Sequence, residues 1–419
     1  MRLRLVLAGR SEALLYSPAL PAPWLGRVEA WLKRETAELL EGARFDVDSQ
    51  GRPNLFLRLH PAADDVSFAA AGGGRFVVAA NTYTVGPGYH RYLCDLLRRL
   101  GEEFQIVWAD PDAENQVGDP TGYFHSHDAS ALEQNMLAWL SDAAGQALAL
   151  HRAGQGNVAL SLRFGHAFDS QAPLLTPMGP RDLSWLKAVH ADPRSGMDVF
   201  PWWEEGTRGA TQLGRAMTRL WTEMVWRPPL LEEERKLFRD VAVRLAAAYR
   251  DDPSLDFPWS EWRDLLGYLG MGGTLSEEVS RRAASKDTDH KIGYRRRPVR
   301  VLLEQGWSLR IPGSLAESLL PSKTWVGRDH RRTIRFTPLE PATGAPQLPE
   351  GAVSTSIVEH RGARVRSRAM VRTGGGACSL IALCHSGDRR ALCAITSEDP
   401  EDHDWMMETW RSIDMLPLA

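Results

Sequence analysis

The segment around Gly86 combines glycines, a histidine and aromatic residues in a pattern that suits a binding turn. Gly86-Pro87-Gly88-Tyr89-His90 follows a β-rich stretch that contains Tyr83. Glycines at a strand-to-helix turn leave backbone N–H groups free at the positive end of the helix, where an anion can bind. The segment matches neither GxxxxGK[ST] nor GxGxxG, and no lysine follows to reach a phosphate. A helix-initiating turn with Tyr89 packed beneath it is the simpler interpretation.

A second segment, Phe200-Pro201-Trp202-Trp203-Glu204-Glu205, places two large aromatic side chains beside two carboxylates. Aromatic faces stack on sugars or bases, and a carboxylate beside them binds hydroxyls or cations. Glycoside hydrolysis needs two carboxyl groups about 5–10 Å apart across a cleft, which neighbours on one helix turn do not provide. We expect the segment to anchor a helix start, with the carboxylates near its positive end. The alternative is a small-molecule or anion cleft lined by Tyr83, Gly86, Gly88, Tyr89, His90, Trp202, Trp203 and Glu205.

His125-Ser126-His127-Asp128 is the pattern that comes closest to a metal site. Zinc needs a third and usually a fourth ligand, and the HxHxD spacing requires an acid where Ala129 stands. Asp128, or Ser130 with its Ser-x-x-Glu spacing, is expected to cap the following helix instead. The chain also lacks HExxH, GxSxG and CxxC patterns. We therefore expect no metal and no cofactor, and we favour a non-catalytic protein over an enzyme.

The cysteines and the apolar runs indicate a compartment. Cys94 stands alone, and Cys378, Cys384 and Cys393 share one apolar, strand-like stretch, so buried free thiols are expected. The amino-terminal apolar run is too short for a secretory signal, and no window approaches the roughly 20 apolar residues that span a bilayer. These features predict a soluble, cytoplasmic protein that does not enter a membrane.

Arginines form three groups late in the chain, and these groups would make one basic surface if the fold brought them together. They are Arg295, Arg296 and Arg297, then Arg328, Arg331 and Arg332, then Arg364, Arg366 and Arg368. Alternation in the last group predicts one face of a strand. If strands unite the groups, they form a surface for an acidic protein or a nucleotide; apart, they are solvated side chains. The formal charge of −3 for the whole chain disfavours general nucleic-acid binding.

The elements that must position these residues follow from length and periodicity. A chain of 419 residues with 43% hydrophobic residues predicts two or three globular domains. Apolar spacing predicts, in order, a strand over 2–8, a helix over 21–43, a strand pair around Gly51 and Arg52, a strand over 75–85, helices over 89–100 and 130–151, and a strand over 157–165.

The pattern of apolar residues changes twice further along the chain. Residues 179–284 are almost wholly helical in pattern and hold seven of the 15 tryptophans, whereas β-type runs dominate beyond the polar stretch 285–297, with a closing helix over 401–413. We predict an α+β protein. It would comprise a mixed α/β domain over 1–178, a helical, Trp-rich extension packed on it over 179–284, and an antiparallel α+β sandwich over 298–419.

Two short motifs carry a family resemblance. Gly306-Trp307-Ser308-Leu309-Arg310-Ile311-Pro312-Gly313-Ser314, with the later Trp405 and Trp410-Arg411-Ser412-Ile413, resembles the PsbP-like fold family. That resemblance implies a small binding or assembly module with no common catalytic residues over the last third of the chain. The whole layout resembles uncharacterised bacterial proteins of toxin-immunity and conflict loci.

The leading hypothesis is therefore a protein that binds another protein, a cognate toxin in its most specific form. It would act by covering the partner's active site, with arginine and tryptophan anchors supplying most of the affinity. One alternative is an enzyme or small-molecule binder that uses the cleft defined above. A third is self-association through an exposed strand edge.

Overall fold

The chain forms two compact units in the computed structural model. Residues 4–12, 21–48, 51–71, 73–154, 157–160, 165–168, 170–206, 208–285, 292–339 and 355–416 are described. Unit 1 comprises residues 1–163, 170–222 and 240–262, and unit 2 comprises 164–169, 223–239 and 263–419. Helices and antiparallel sheets occur in both, which confirms the α+β class. The continuous domain boundaries drawn from the sequence stay a prediction.

Unit 1 contains a six-stranded antiparallel sheet in the order β2-β3-β4-β5-β1-β6. Its strands are β1 (Leu5–Ser11), β2 (Gly42–Val47), β3 (Pro53–Arg58), β4 (Val66–Ala71), β5 (Arg75–Ala80) and β6 (Ile106–Trp108). Leu5 and Leu7 of β1 are buried while Val6 and Ala8, which alternate with them, are partly exposed, as a half-buried strand requires. A smaller sheet joins β7 (Val158–Ala159), β9 (Leu174–Thr176) and β10 (Gly179–Arg181).

Helices supply the rest of unit 1. They are α1 (Pro21–Glu35), α2 (Pro87–Glu103), α3 (Tyr123–Ser126), α4 (Ala129–Arg152), α5 (Leu183–Ala191) and α6 (Gly209–Thr222). In α2, Leu93, Leu97 and Leu100 recur at helical spacing and are fully buried, so one face of the helix packs into the core. Two further helices, α7 (Glu232–Asp251) and α8 (Trp259–Leu269), contribute residues to both units.

Several boundaries differ from the sequence-based predictions. The helix predicted over 21–43 ends at Glu35, because β2 begins at Gly42 and pairs with β3. The strand predicted over 75–85 ends at Ala80, and the one predicted over 157–165 is described only as β7; residues 161–164 lie outside the described ranges. The helices predicted over 89–100 and 130–151 are confirmed as α2 and α4.

Unit 2 contains a seven-stranded antiparallel sheet in the order β13-β14-β15-β19-β18-β17-β16. Its strands are β13 (Ala316–Leu319), β14 (Trp325–Arg328), β15 (Arg332–Leu339), β16 (Thr355–Arg361), β17 (Arg366–Gly374), β18 (Ala377–Ser386) and β19 (Arg389–Ser397). A four-stranded sheet joins β8 (His166–Phe168), β11 (Val299–Leu302), β12 (Trp307–Ile311) and β20 (Asp414–Met415). The helices are α9 (Thr274–Ser285) and α10 (His403–Arg411); the latter confirms the predicted closing helix.

The two faces of the seven-stranded sheet differ in burial. Directly paired residues of an antiparallel sheet point to the same side. The row Ala369–Ala382–Cys393–Phe336 is fully buried, and α10 contacts β18 and β19 of this sheet. The next row, Met370–Ile381–Ala394–Arg335, points the other way and is partly or fully exposed. We call the side of the sheet that carries this second row the open face.

The four cysteines are free and buried, as predicted. Within the described ranges, no helix combines the length and the apolar character that crossing a lipid bilayer requires.

Candidate functional site

The glycine turn of unit 1 is covered by the segment that follows Phe200. Gly86 has a φ of 120°, a conformation that favours glycine, and α2 starts directly after it. A Cβ on Gly86 would lie 2.5 Å from the carbonyl oxygen of Trp202, and a Cβ on Gly88 would lie 2.0 Å from that of Glu204. The Trp202 N–H donates to the carbonyl of Val85 at 3.0 Å. Protein backbone therefore fills the space beside the turn.

The residues of the predicted cleft are in contact, but most lie in the interior. The rings of Tyr89 and Trp202 are 5.7 Å apart, and Tyr83 lies 6.0 Å from Trp139. Tyr83, Tyr89, His90 and Trp202 are at most 2% exposed. Because these side chains pack against one another, they form part of the core of unit 1.

The two remaining cleft residues lie nearer the surface. Trp203 is half-buried against Phe200 at 5.4 Å, and exposed Glu205 lies 3.7 Å from Arg91 Nη1. The expectation that this segment starts a helix is wrong, since α6 begins only at Gly209.

His90 is the centre of a buried polar cluster that the sequence analysis did not assemble. Its Nδ1 lies 2.7 Å from Thr82 Oγ1, and its Nε2 lies 3.1 Å from Asp119 Oδ2. Cys94 follows one turn later on α2. One ligand atom from each of His90, Cys94 and Asp119 lies within 4.8 Å of the others, and all three residues are buried. The i, i+4 spacing of His90 and Cys94 was a visible signal, but Asp119 comes from a distant loop.

Hydrogen bonds fix the carboxylate of Asp119. It accepts from the backbone N–H of Phe124 at 2.8 Å and of Thr121 at 2.9 Å, and from Thr121 Oγ1 at 2.8 Å. Burial raises the pKa of Asp119, but the hydrogen bond and charge of His90, with the backbone N–H groups, lower this pKa to about 2. Burial raises the pKa of the Cys94 thiol well above its ordinary value. The cluster thus brings an anionic oxygen, an imidazole nitrogen and a thiol together at one position that is buried from solvent.

The segment from His125 to Asp128 takes the structural role that was expected. Both histidines are exposed, and the carboxylate of Asp128 accepts from the Ala131 N–H at 3.0 Å, which caps α4. Ser130 lies inside the helix, so Asp128 is the capping residue.

Besides the half-buried Arg390 of β19, six exposed arginines project from the open face of unit 2. They are Arg328 on β14, Arg335 on β15, Arg361 on β16, and Arg366, Arg368 and Arg372 on β17. Each is exposed, and none has a carboxylate within ion-pair distance in the described part of the chain. We call these six residues the open-face arginines.

Aliphatic and hydroxyl side chains separate the open-face arginines. Ile357 is 57% exposed and Leu392 is 38% exposed, and both lie in rows of this face. Its described register positions hold no Phe, Tyr or Trp. A groove of about 380 Å³ at one end is lined in part by Arg372, Ser379 and Thr396. Glu359, opposite Arg368, is the carboxylate that these strands place on the face.

Five of the nine predicted arginines instead have partners elsewhere in unit 2. Arg295 is buried against Glu317, Arg296 lies 3.7 Å from the ring centroid of Trp226, Arg331 and Arg332 bind Asp399 and Asp402, and Arg364 binds Asp414. Arg297 is exposed but lies before β11, outside the seven-stranded sheet.

The structure therefore gathers three of the predicted arginines, Arg328, Arg366 and Arg368, on the open face. Arg364 lies before the first residue of β17, so it does not share the alternation of its neighbours. Sequence reasoning missed Arg335, Arg361 and Arg372. Arg372 has the same parity as Arg366 and Arg368, and that signal was available in the sequence.

Comparison of the chain with models of known protein families and with curated protein sequences finds no match.

Proposed function

We propose that the chain is a non-catalytic binding protein that docks an acidic segment of another protein on the open face of unit 2. The observation that carries this proposal is the set of six exposed open-face arginines, none with a described carboxylate partner, beside exposed aliphatic side chains. Arginine presents a planar fork of donors that matches a carboxylate. An acidic segment would supply carboxylates to a face on which the described strands place six exposed arginines and one carboxylate, that of Glu359.

Charge distribution supports the same partner. Residues after 290 include 19 basic and 14 acidic side chains, whereas the residues before them include 31 and 39. The residues after 290 are therefore net basic on a chain whose total charge is −3, and six of their arginines lie exposed on the open face. Complementary charge across an interface speeds encounter and selects the partner.

The composition of the open face favours a protein over a nucleic acid. Proteins that bind single strands stack bases on aromatic side chains. The described open-face positions hold Met370, Ile381 and Leu392 between the arginines and none of Phe, Tyr or Trp, and the one ring among them is the half-buried imidazole of His385. Aliphatic side chains pack against the apolar residues of a polypeptide but offer no ring to stack on a base.

The finer parts of the proposal rest on the sequence. The free cysteines fit a reducing compartment, and we propose a cytoplasmic location. In its most specific form the docked protein is a toxin whose active site is covered. The PsbP-like resemblance draws its support from two sequence motifs, and the immunity role draws its support from the layout of the whole chain.

A binding titration tests the proposal with probes of defined chemistry. The full-length chain is titrated against three fluorescent probes: an alternating Glu-Val peptide, its Lys-Val counterpart, and a single-stranded oligonucleotide of the same charge as the Glu-Val peptide. We expect saturable anisotropy for the Glu-Val peptide, weakening as salt rises, and none for the Lys-Val peptide. Equal or tighter binding of the oligonucleotide would contradict a protein partner, and failure of the Glu-Val peptide to bind would reject the docking surface.

A further inference from the structure

A second feature, independent of the open face, lies in the core of unit 1. His90 and Cys94 occupy successive turns of α2, four residues apart, so their side chains lie on the same side of the helix. Asp119, from the loop before α3, meets them there. We propose that His90, Cys94 and Asp119 form a binding site for a transition-metal ion, with Zn²⁺ as the preferred occupant.

The donor set suits zinc. Imidazole nitrogen, thiolate sulfur and carboxylate oxygen are the three kinds of side-chain ligand that zinc binds in proteins, at about 2.0–2.3 Å. Their atoms lie within 4.8 Å of one another. Tetrahedral ligands at those bond lengths lie about 3.3–3.8 Å apart, so the most widely spaced pair would approach by up to about 1 Å when an ion binds. Thr121 Oγ1, 3.2 Å from His90 Nε2, is a further oxygen beside these ligands.

Charge balance supports an ion in this position. The side chains of His90 and Asp119 are fully buried, so the carboxylate charge has no access to water. A thiolate and a carboxylate together neutralise a divalent cation, so the occupied site would bury no net charge. Binding would release the thiol proton of Cys94 to solvent, because the metal ligand is the thiolate.

The groups around the ligands are arranged as supports. Thr82 Oγ1 contacts His90 Nδ1, which leaves Nε2 directed at Asp119. Asp119 Oδ1 is held by the Thr121 N–H, while Oδ2 faces His90. Metal-binding histidines commonly make such a hydrogen bond through the second ring nitrogen, which fixes the ring orientation.

A simple hydrogen-bonded His–Asp pair is the competing explanation of the same geometry. That pair accounts for the 3.1 Å contact of His90 with Asp119, but it does not require Cys94. The thiol of Cys94 is fully buried, and no hydrogen bond to it is found among the residues that the structure describes. A metal ion gives this sulfur a partner, and the two explanations predict different spectra.

Cobalt substitution of the full-length chain tests the site. The protein is stripped with a chelator, titrated with Co²⁺ and followed by absorption, since a Co²⁺–thiolate bond produces a charge-transfer band in the near ultraviolet. We expect one Co²⁺ per chain with this band, displaced by Zn²⁺. The band should be absent in Cys94→Ala and retained in Cys393→Ala, which removes a buried thiol of β19. Thr82→Val should keep the band but raise the dissociation constant for Zn²⁺ by roughly 10- to 100-fold.

Three results would overturn the site. The first is that the wild-type chain shows no Co²⁺–thiolate band, a result that can be interpreted without any variant. Alternatively, Cys94→Ala could keep the band. If Cys94→Ala fails to fold, the wild-type titration and Thr82→Val decide the question, and an unchanged Zn²⁺ affinity in Thr82→Val would also count against it. None of these readouts involves the open face, so the metal site and the proposed docking function can fail separately.

Discussion

Arg361 on β16 and Arg366 on β17 are directly paired on the open face, so two like charges lie opposite each other across adjacent strands. Like charges in this position destabilise a sheet. Neither side chain has a carboxylate partner in the described part of unit 2. The fold alone gives no reason to keep this pair, whereas a partner that supplies carboxylates does.

Arg361→Glu should therefore stabilise the chain while it weakens docking. The new carboxylate would face Arg366 and replace a repulsion by an attraction, which is worth about 0.2–1 kcal/mol between cross-strand neighbours. Urea unfolding measures the change, with Arg361→Lys as the charge-preserving control. A loss of stability in Arg361→Glu with Arg361→Lys unchanged would show that repulsion between Arg361 and Arg366 does not destabilise the sheet.

Two helical glycines should respond in opposite ways to alanine. A Cβ on Gly88 would meet the Glu204 carbonyl at 2.0 Å and the indole of Trp202, so Gly88→Ala should destabilise unit 1 by about 1–3 kcal/mol. A Cβ on Gly26 of α1 would meet nothing within 4 Å, so Gly26→Ala should stabilise by about 0.5–1 kcal/mol. Thermal unfolding of the pair measures both. Equal shifts in the unfolding temperature of the two variants would mean that the segment after Phe200 does not pack closely against the turn.

Glu41 is surrounded by arginines in unit 1. It binds Arg215 and Arg219, lies 3.6 Å from Arg244, and its side chain is 5% exposed. Burial and then the charge of Arg244 lower the pKa of Arg215 to about 9. Removing the carboxylate leaves the buried Arg215 without its anionic partner, whereas Arg219 and Arg244 keep Asp240. Glu41→Gln should therefore cost about 3–5 kcal/mol in the free energy of unfolding.

The control for this variant is Glu29→Gln. Glu29 pairs with Lys33, whose side chain is half exposed, so its loss should cost at most about 1 kcal/mol. Chemical denaturation compares the two, and similar small losses would show that the cluster around Glu41 is not a stabilising element.

Glu317 should make the stability of unit 2 depend on pH. Its carboxylate lies 2.8 Å from His166 Nε2 and accepts from Arg295 at 2.7 Å. Burial raises the pKa of Glu317, but the hydrogen bond of His166 and the charge of Arg295 bring it below the ordinary value of 4.5. A folded-state pKa below the unfolded one means that this contribution is present above about pH 4.5 and is lost as the pH falls through the folded value.

Urea midpoints measured from neutral pH down into the acid range check this dependence. Glu317→Gln should be less stable than the wild type at neutral pH, and the difference should shrink on acidification. A difference between the two proteins that stays constant below about pH 4.5 would remove Glu317 as the cause.

The sequence predicted elements well where one local pattern determined them. The repeat of leucines in α2 and the alternation in β17 are local signals, and both elements are present. The helix predicted to Ala43 overran because its apolar spacing continues past Glu35, whereas the pairing of β2 with β3 that ends it is a contact between strands. Such contacts between strands leave no signal in any single stretch of the sequence.

The candidate sites were harder to predict because they depend on distant partners. Alternation suggested a basic strand face, but burial of Arg295 against Glu317 and pairing of Arg332 with Asp402 join residues far apart in the chain. The same holds for Asp119, which reaches His90 from a separate loop. Arg372 follows the same alternation along β17 as Arg366 and Arg368, so that part of the open face was predictable.

Charge reversal on the open face tests the central claim most directly. Binding of the Glu-Val peptide is compared between the wild type, a variant with Arg366, Arg368 and Arg372 changed to Glu, and a control with Arg194, Arg208 and Arg250 changed to Glu. The control changes three exposed arginines of unit 1 and gives the same net charge. We predict that the open-face variant loses affinity by about tenfold or more while the control stays close to the wild type. Equal loss in both variants, or no loss in the first, would contradict docking on the open face.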